Sequence, residues 1–100
     1  MYTHGGQIDA AEALRLGLVA RVFPPAETVD AAVKTAAKMA SFSLPHLMMA
    51  KEAVNQAYEV GLQQGLQGEL RAFWGTFATD DQKEGMSAFA EKRKPSFTNK

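Results

Sequence analysis

The chain has 100 residues, of which 46% are apolar and 22% are charged, and eleven basic and eleven acidic residues give a formal net charge of zero. This length fits one small domain or part of a larger one, and the neutral charge disfavours a nucleic-acid-binding protein. Because the sequence has no cysteine and only two histidines, we expect no disulfide and no metal site. We expect no membrane partner either, since no apolar run is long enough to span a bilayer.

The first predicted element is a short helix over residues 10–16. Asp9 is placed to accept hydrogen bonds from the free amides of the first turn, and Glu12 follows at capping-box spacing. Gly17 stands where a left-handed residue would end this helix. The run 18–23 is rich in β-branched and aromatic residues and stops at a proline pair, which predicts one short strand.

The remaining sequence predicts four more helices. They are separated by a break over 41–45, a bend at Gly61 and a new helix start over 79–81, and Pro95 is expected to end the last one. The fourth helix carries an apolar stripe at helical spacing, formed by Leu62, Leu66, Leu70, Phe73 and Phe77. The sequence therefore predicts a mainly α fold of about five helices and one strand, with a stripe that needs a partner surface.

Acidic and histidine side chains offer few candidates for catalysis. Asp80 and Asp81 are adjacent carboxylates, but adjacent residues point in different directions and both positions suit helix capping, which is the interpretation that we prefer. Glu84 is a candidate for a lone general acid, but its charge in the first helical turn also complements the helix dipole, and we prefer this second interpretation. His4 and His46 are interpreted as surface or helix-start residues, because neither has triad-like spacing to a serine or an aspartate.

A basic patch near the end of the chain is more distinctive. Lys92, Arg93 and Lys94 follow Phe89 by about one helical turn. Such a patch can bind a phosphate while the aromatic ring stacks on a purine. Lysine and arginine at a helix C-terminus are equally explained by the helix dipole and by solvation. The residues alone leave both interpretations open.

Two segments resemble the crotonase superfamily, and in particular enoyl-CoA hydratases. GGQIDAAEALRLGLVARVFPP (5–25) resembles the segment that follows the last core strands, and FATDDQKEGMSAFAEKRKPSF (77–97) resembles the family's C-terminal signature. The resemblance implies that the chain is the C-terminal part of such an enzyme, whose complete fold is an α/β spiral of ββα units. Residues 1–25 would then end the core, and 26–100 would form the C-terminal helical trimerisation region.

The resemblance also implies a function. Such enzymes add water across the 2,3 double bond of trans-2-enoyl-CoA in fatty-acid or related acyl-CoA β-oxidation. Their catalytic glutamate pair and oxyanion hole belong to the N-terminal part, so we expect no catalytic residue in this chain and no activity from these 100 residues alone. By motif position, Phe89 and Lys92 would contact the CoA bound to a neighbouring subunit, whereas Arg93 and Lys94 are interpreted as solvated charges.

The expected partners are an acyl-CoA substrate and further copies of the chain, as a trimer or a dimer of trimers. No cofactor is expected, because CoA is part of the substrate. The bacterial cytoplasm is the expected compartment, with the mitochondrial matrix as the location in a eukaryotic parent. Two alternatives remain open: another crotonase-superfamily enzyme, such as an isomerase or an acyl-CoA hydrolase, and a non-catalytic, stand-alone helical interaction module.

Overall fold

A computed structural model describes residues 5–100 and contains five α-helices in that part of the chain. They are α1 (Ala10–Arg15), α2 (Pro25–Ala40), α3 (Leu44–Gln56), α4 (Leu62–Thr76) and α5 (Asp80–Ala90). The predicted mainly α fold is confirmed. The chain divides into two compact units, the first extending to Ala37 and the second comprising Lys38–Lys100. The proposed division into 1–25 and 26–100 concerns the parent enzyme and stays a prediction.

The predicted strand over 18–23 is wrong. This run has no regular secondary structure, and no strand occurs anywhere in residues 5–100. Its side chains are exposed, Leu18 by 65%. A strand is stabilised by hydrogen bonds to a neighbouring strand and by packing on one face, and β-branched composition does not replace either contribution. With no neighbouring strand in the described part of the chain, the run stays irregular.

The short helix α1 begins and ends as its sequence predicts. The Asp9 carboxylate accepts a hydrogen bond from the Glu12 amide at 2.8 Å. Gly17 has a φ of +75°, and the amides of Gly17 and Leu18 donate back to carbonyls of the last turn. These two bonds form the Schellman motif, which favours glycine because the left-handed backbone is unfavourable for residues with a β-carbon.

The helices α3 and α4 form the main packed pair of the second unit. Gly61 is the N-cap of α4, so the bend predicted at this glycine is confirmed. Gly68 lies where α4 passes the end of α3, and a β-carbon at this position would overlap the Gln56 side chain, whose Cδ would be only 3.0 Å away. Glycine at this position allows the close approach of the two helices.

The last helix starts as expected but ends earlier. Thr79 is the N-cap of α5, and its hydroxyl oxygen accepts a hydrogen bond from the Gln82 amide at 3.2 Å. The helix ends at Ala90, so the prediction that Pro95 ends it is wrong. The backbone already reverses at Lys92, where φ is +54° and the helical hydrogen-bond pattern stops.

Apolar side chains are largely uncovered in the described residues. Ala88 is the one fully buried apolar residue of the second unit within these residues. The stripe of α4 is between 46% and 79% exposed, and its Phe73 and Phe77 rings meet edge to face with centroids 5.3 Å apart. The predicted stripe therefore exists and presents a wide apolar surface.

Candidate functional site

The end of α5 is built on an unusual backbone turn. The amide of Lys92 donates to the Phe89 carbonyl at 3.2 Å, and the amide of Arg93 donates to the Ala88 carbonyl at 2.9 Å. This is a second Schellman motif, but here the left-handed position is occupied by lysine, with a φ of +54°. The left-handed conformation costs a residue with a β-carbon about 1 to 2 kcal/mol.

The turn brings the two predicted CoA-contact residues to the same end of α5. Phe89 is 84% exposed, and Lys92, three residues later, is also exposed. Met86, which lies three residues before Phe89 on the same side of α5, is itself 62% exposed. Neither side chain therefore belongs to a core in the described part of the chain, and an aromatic ring and an ammonium group are both accessible there.

Arg93 is part of a compact ionic cluster. Its guanidinium donates to both carboxylate oxygens of Glu84, at 2.6 and 2.9 Å, and its Nε donates to Glu91 at 2.6 Å. The Ser96 amide donates to the same Glu84 carboxylate at 2.8 Å. The interpretation of Arg93 as a solvated charge is therefore incomplete, because its side chain is exposed but also forms an ion pair that occupies Glu84.

This cluster changes the ionisation of its members. The hydrogen bonds from Arg93, with a further one from the Ser96 amide, lower the pKa of Glu84 from its ordinary 4.5 to about 2. The same contact with Glu84, with that to Glu91, raises the pKa of Arg93. Both groups stay charged across the physiological range, so Glu84 is poorly suited to act as a general acid.

The adjacent carboxylates Asp80 and Asp81 have separate environments. Asp80 is exposed and lies 3.5 Å from the Lys83 ammonium group. Asp81 is 1% exposed and accepts hydrogen bonds from the amides of Thr98 and Asn99, at 2.7 and 2.9 Å. The expectation that Asp81 caps its own helix is wrong in detail, because its carboxylate binds the segment 95–100, called here the tail.

The tail also completes the start of α3. The Asn99 side chain accepts a hydrogen bond from the Leu44 amide at 2.8 Å and so pairs one of the free amides at this helix N-terminus. Ser43 occupies the N-cap position but makes no capping bond. Its buried hydroxyl instead approaches Asp81, although the geometry falls short of a full hydrogen bond.

Burial by itself raises the pKa of Asp81, but the approach of Ser43 and the hydrogen bonds from Thr98 and Asn99 outweigh this effect. The pKa of Asp81 therefore lies below its ordinary 3.8. The ionised carboxylate is the form that the tail amides bind, because charged acceptors form the stronger hydrogen bonds.

His46 forms a hydrogen bond with a threonine side chain. His46 lies in the first turn of α3, as expected for a helix-start residue, and its Nε2 is 2.8 Å from the Thr79 hydroxyl oxygen. The single hydroxyl proton of Thr79 is donated to the Thr76 carbonyl at 2.6 Å, so His46 Nε2 is the donor in this contact. His4 lies outside the described residues.

An open groove of about 460 Å³ lies between α3 and α4. Its walls are mostly alanine, valine, methionine and phenylalanine side chains, and its polar groups come from His46, Glu69 and Thr76. Residues 5–100 contain no cluster of histidine, cysteine, aspartate or glutamate that could hold a metal ion. No helix among these residues is long and apolar enough to cross a membrane.

Comparisons with known proteins identify the family of this chain. A family model described as enoyl-CoA hydratase/isomerase matches residues 1–100. The chain belongs to the enoyl-CoA hydratase/isomerase family. It is 54% identical over 96 residues to a probable enoyl-CoA hydratase of Rhizobium meliloti (strain 1021), covering 96% of this chain and 37% of that protein. A probable mitochondrial enoyl-CoA hydratase of Dictyostelium discoideum is 51% identical over 96 residues, covering 96% of this chain and 35% of that protein.

A solved structure agrees with these relatives. The crystal structure of an enoyl-CoA hydratase subunit from Geobacillus kaustophilus HTA426 matches with a TM-score of 0.92 and 42% identity, over 96% of this chain and 37% of that one. The resemblance to the C-terminal part of an enoyl-CoA hydratase is confirmed, and the chain spans little more than a third of the length of these hydratases. The CoA-contact roles of Phe89 and Lys92 stay predictions.

Proposed function

We propose that this chain supplies subunit-contact helices and a CoA contact to an enoyl-CoA hydratase. The complete enzyme would add water across the 2,3 double bond of trans-2-enoyl-CoA in fatty-acid or related acyl-CoA β-oxidation. Membership of the hydratase/isomerase family and the names of the relatives support this reaction. Hydratases are favoured over isomerases and hydrolases because both named relatives and the matched crystal structure are described as hydratases.

The observation that carries the CoA contact is the exposed end of α5. Phe89 is 84% exposed and Lys92 is accessible at the turn that follows. Lysine binds phosphate groups as a point charge, and an aromatic ring can stack on a purine, so the pair suits a nucleotide-containing ligand such as CoA. The ligand would be held by a neighbouring subunit.

The exposed stripe of α4 supports the subunit contact. Its aromatic and aliphatic side chains are at least 46% exposed, and large exposed apolar patches on a protein mark interaction sites. Interface cores are enriched in such side chains, and most soluble oligomers are symmetric assemblies of identical chains. The expected assembly is a trimer or a dimer of trimers.

The proposed role of these residues is binding rather than chemistry. We assign no catalytic residue to the chain, no metal and no cofactor apart from the CoA that belongs to the substrate. A contact far from the reacting carbons holds the ground state and the transition state alike, so its loss raises KM and leaves kcat nearly unchanged. The proposed compartment is the bacterial cytoplasm, or the mitochondrial matrix for a eukaryotic parent.

The first experiment measures the intact mass of the protein and its hydration of crotonyl-CoA in the same sample. The proposal is supported by a mass about two and a half times 10.8 kDa together with hydration of crotonyl-CoA. This mass is expected because the chain covers only 37% of a related hydratase. Hydration by the 100 residues alone would contradict the absence of catalytic residues.

The second experiment compares Lys92→Ala with Lys94→Ala in the complete enzyme. Loss of a charge-assisted contact of about 1.5 kcal/mol predicts a roughly tenfold higher KM for Lys92→Ala with kcat retained. Lys94 is also exposed and lies two residues away, so its substitution controls for the loss of one positive charge. Equal KM values for the two variants would refute the assignment of Lys92.

A further inference from the structure

Charged side chains anchor the backbone on both sides of Lys92. Arg93 follows this residue and pairs with Glu84 through two hydrogen bonds, while its Nε binds Glu91, which precedes Lys92. Glu84 lies on α5 two helical turns earlier and also accepts the Ser96 amide. The left-handed residue is therefore flanked in sequence by two members of a cluster that is itself fixed to the helix.

Without such an anchor, the backbone of Lys92 could adopt a conformation of lower free energy. A lysine prefers the right-handed helical region, and adopting it would continue α5 through Lys92. Because an α-helix advances by about 100° per residue, the side chain would then leave the helix in a different direction. The turn has two backbone hydrogen bonds, donated by the Lys92 amide to the Phe89 carbonyl and by the Arg93 amide to the Ala88 carbonyl. Both would also be lost or exchanged.

We infer that Glu84 and Arg93 are positioning residues that hold Lys92 in its left-handed turn and so keep its ammonium group at the exposed end of α5, where an anionic ligand can reach it. This inference rests on the proposed function, because it assumes that Lys92 contacts the CoA ester. The two positioning residues need no contact with the ligand. Their role is to make one orientation of Lys92 more populated.

The chain offers a matched comparison on the same helix. Asp80 and Lys83 form an ordinary exposed pair at 3.5 Å, with both side chains at least 70% exposed. The Arg93 to Glu84 pair is shorter, at 2.6 Å, and the Glu84 side chain is only 25% exposed. Glu84→Gln and Asp80→Asn each remove one negative charge from α5, but only the first disrupts the cluster around Lys92.

The direction of the change in KM on Glu84→Gln distinguishes a positioning role from a purely electrostatic one. Removing a negative charge near an anion-binding site improves binding or leaves it unchanged. Loss of positioning weakens binding, because fewer molecules present Lys92 in the competent orientation. In the complete enzyme we expect Glu84→Gln to raise the KM for crotonyl-CoA roughly threefold with little change in kcat, and Asp80→Asn to leave KM unchanged. An unchanged or lower KM for Glu84→Gln would overturn the inference.

A double variant tests whether Glu84 acts through Lys92. In the Lys92→Ala background, Glu84→Gln should lower the melting temperature but add nothing to KM. An additional rise in KM would show that Glu84 acts independently and would overturn the inference. If Lys92→Ala itself leaves KM unchanged, the proposed function fails; if Lys92→Ala raises KM and Glu84→Gln does not, only the inference fails.

Arg93→Lys provides a second approach should Glu84→Gln fold poorly. Lysine retains the positive charge but cannot make the two parallel bonds to Glu84 together with the bond to Glu91. We expect the same roughly threefold rise in KM as for Glu84→Gln. A variant that loses thermal stability at unchanged KM would show that the cluster stabilises the fold without positioning Lys92.

Discussion

At Lys92, stability and binding are expected to oppose each other. Lys92→Gly removes the free-energy cost of the left-handed conformation, which is about 1 to 2 kcal/mol. Glycine also increases the conformational entropy of the unfolded chain, which destabilises the folded state by about 0.4 to 1 kcal/mol. We therefore expect a net stabilisation on the order of 0.5 to 1 kcal/mol together with a higher KM for CoA esters. Thermal melting and steady-state kinetics on one preparation of the complete enzyme test both parts.

Gly17 provides the control for this variant, because it occupies the same position of the same motif in α1. Gly17→Ala introduces the left-handed cost that Lys92→Gly removes, so it should destabilise the protein by about 1 kcal/mol. A loss of stability in Lys92→Gly would contradict the backbone conformation described for Lys92.

Attachment of the tail should weaken in acid. Asp81 has a lowered pKa, so its contribution to stability is complete above the ordinary value of 3.8 and disappears as the pH falls through the folded value. Glu84 behaves in the same way between its ordinary 4.5 and about 2. Hydrogen-exchange protection of the Thr98 and Asn99 amides should therefore decrease below about pH 4.

The variant Asp81→Asn should reduce this protection at neutral pH and remove its dependence on acid, because an amide accepts less strongly than a carboxylate. The exposed neighbour is the matched control: Asp80→Asn should leave the protection of both tail amides unchanged. Equal protection in the two variants would mean that the tail is held by other contacts.

The residues that could be predicted from sequence are those with local signals. The capping role of Asp9, the start of a helix over 79–81 and the left-handed turn at Gly17 depend on neighbours within a few positions, and all three are confirmed. The contacts of Arg93 with Glu84 and of Asp81 with the tail join residues nine or more positions apart. No helical or strand spacing connects those residues, so pattern analysis could not find the contacts.

Among the helices, the close approach of α3 and α4 gives a further prediction. Gly68→Ala should gain about 1 kcal/mol of helix propensity, but the new methyl group must displace the Gln56 side chain. We expect Gly68→Ala to be more stabilising in a Gln56→Ala background than in the unmodified protein. Denaturant unfolding of the unmodified complete enzyme and of the three variants measures the difference, and identical effects in both backgrounds would show that Gln56 does not restrict this position.

The number and order of the helices followed from the sequence, because glycine, proline and capping residues separate them. The two errors about secondary structure have a common cause. The run 18–23 has the composition of a strand but lacks a neighbouring strand in the described residues, and the end of α5 is set by a lysine in a conformation that usually requires glycine. In both places, interactions beyond the local pattern determine the structure.

For the molecule as a whole, we expect the small core of the described residues to be insufficient for the stability of the isolated chain. Ala13 and Ala88 are the only buried apolar residues among them. Prepared in isolation, the 100 residues should bind a hydrophobic dye, self-associate and unfold without a cooperative transition. Calorimetry and sedimentation test this expectation. A sharp transition from a monomer would instead favour the alternative of a stand-alone helical module.

The hydrogen bond between Leu44 and Asn99 sets an order of events during synthesis. The ribosome completes all of α3 long before it adds Asn99, which lies 55 positions after Leu44. The Leu44 amide therefore cannot pair with Asn99 until the residues up to position 99 have been synthesised. Translation pauses within α4 or α5 would prolong that interval, so chaperones that act during synthesis would meet α3 before the Asn99 side chain reaches its Leu44 amide.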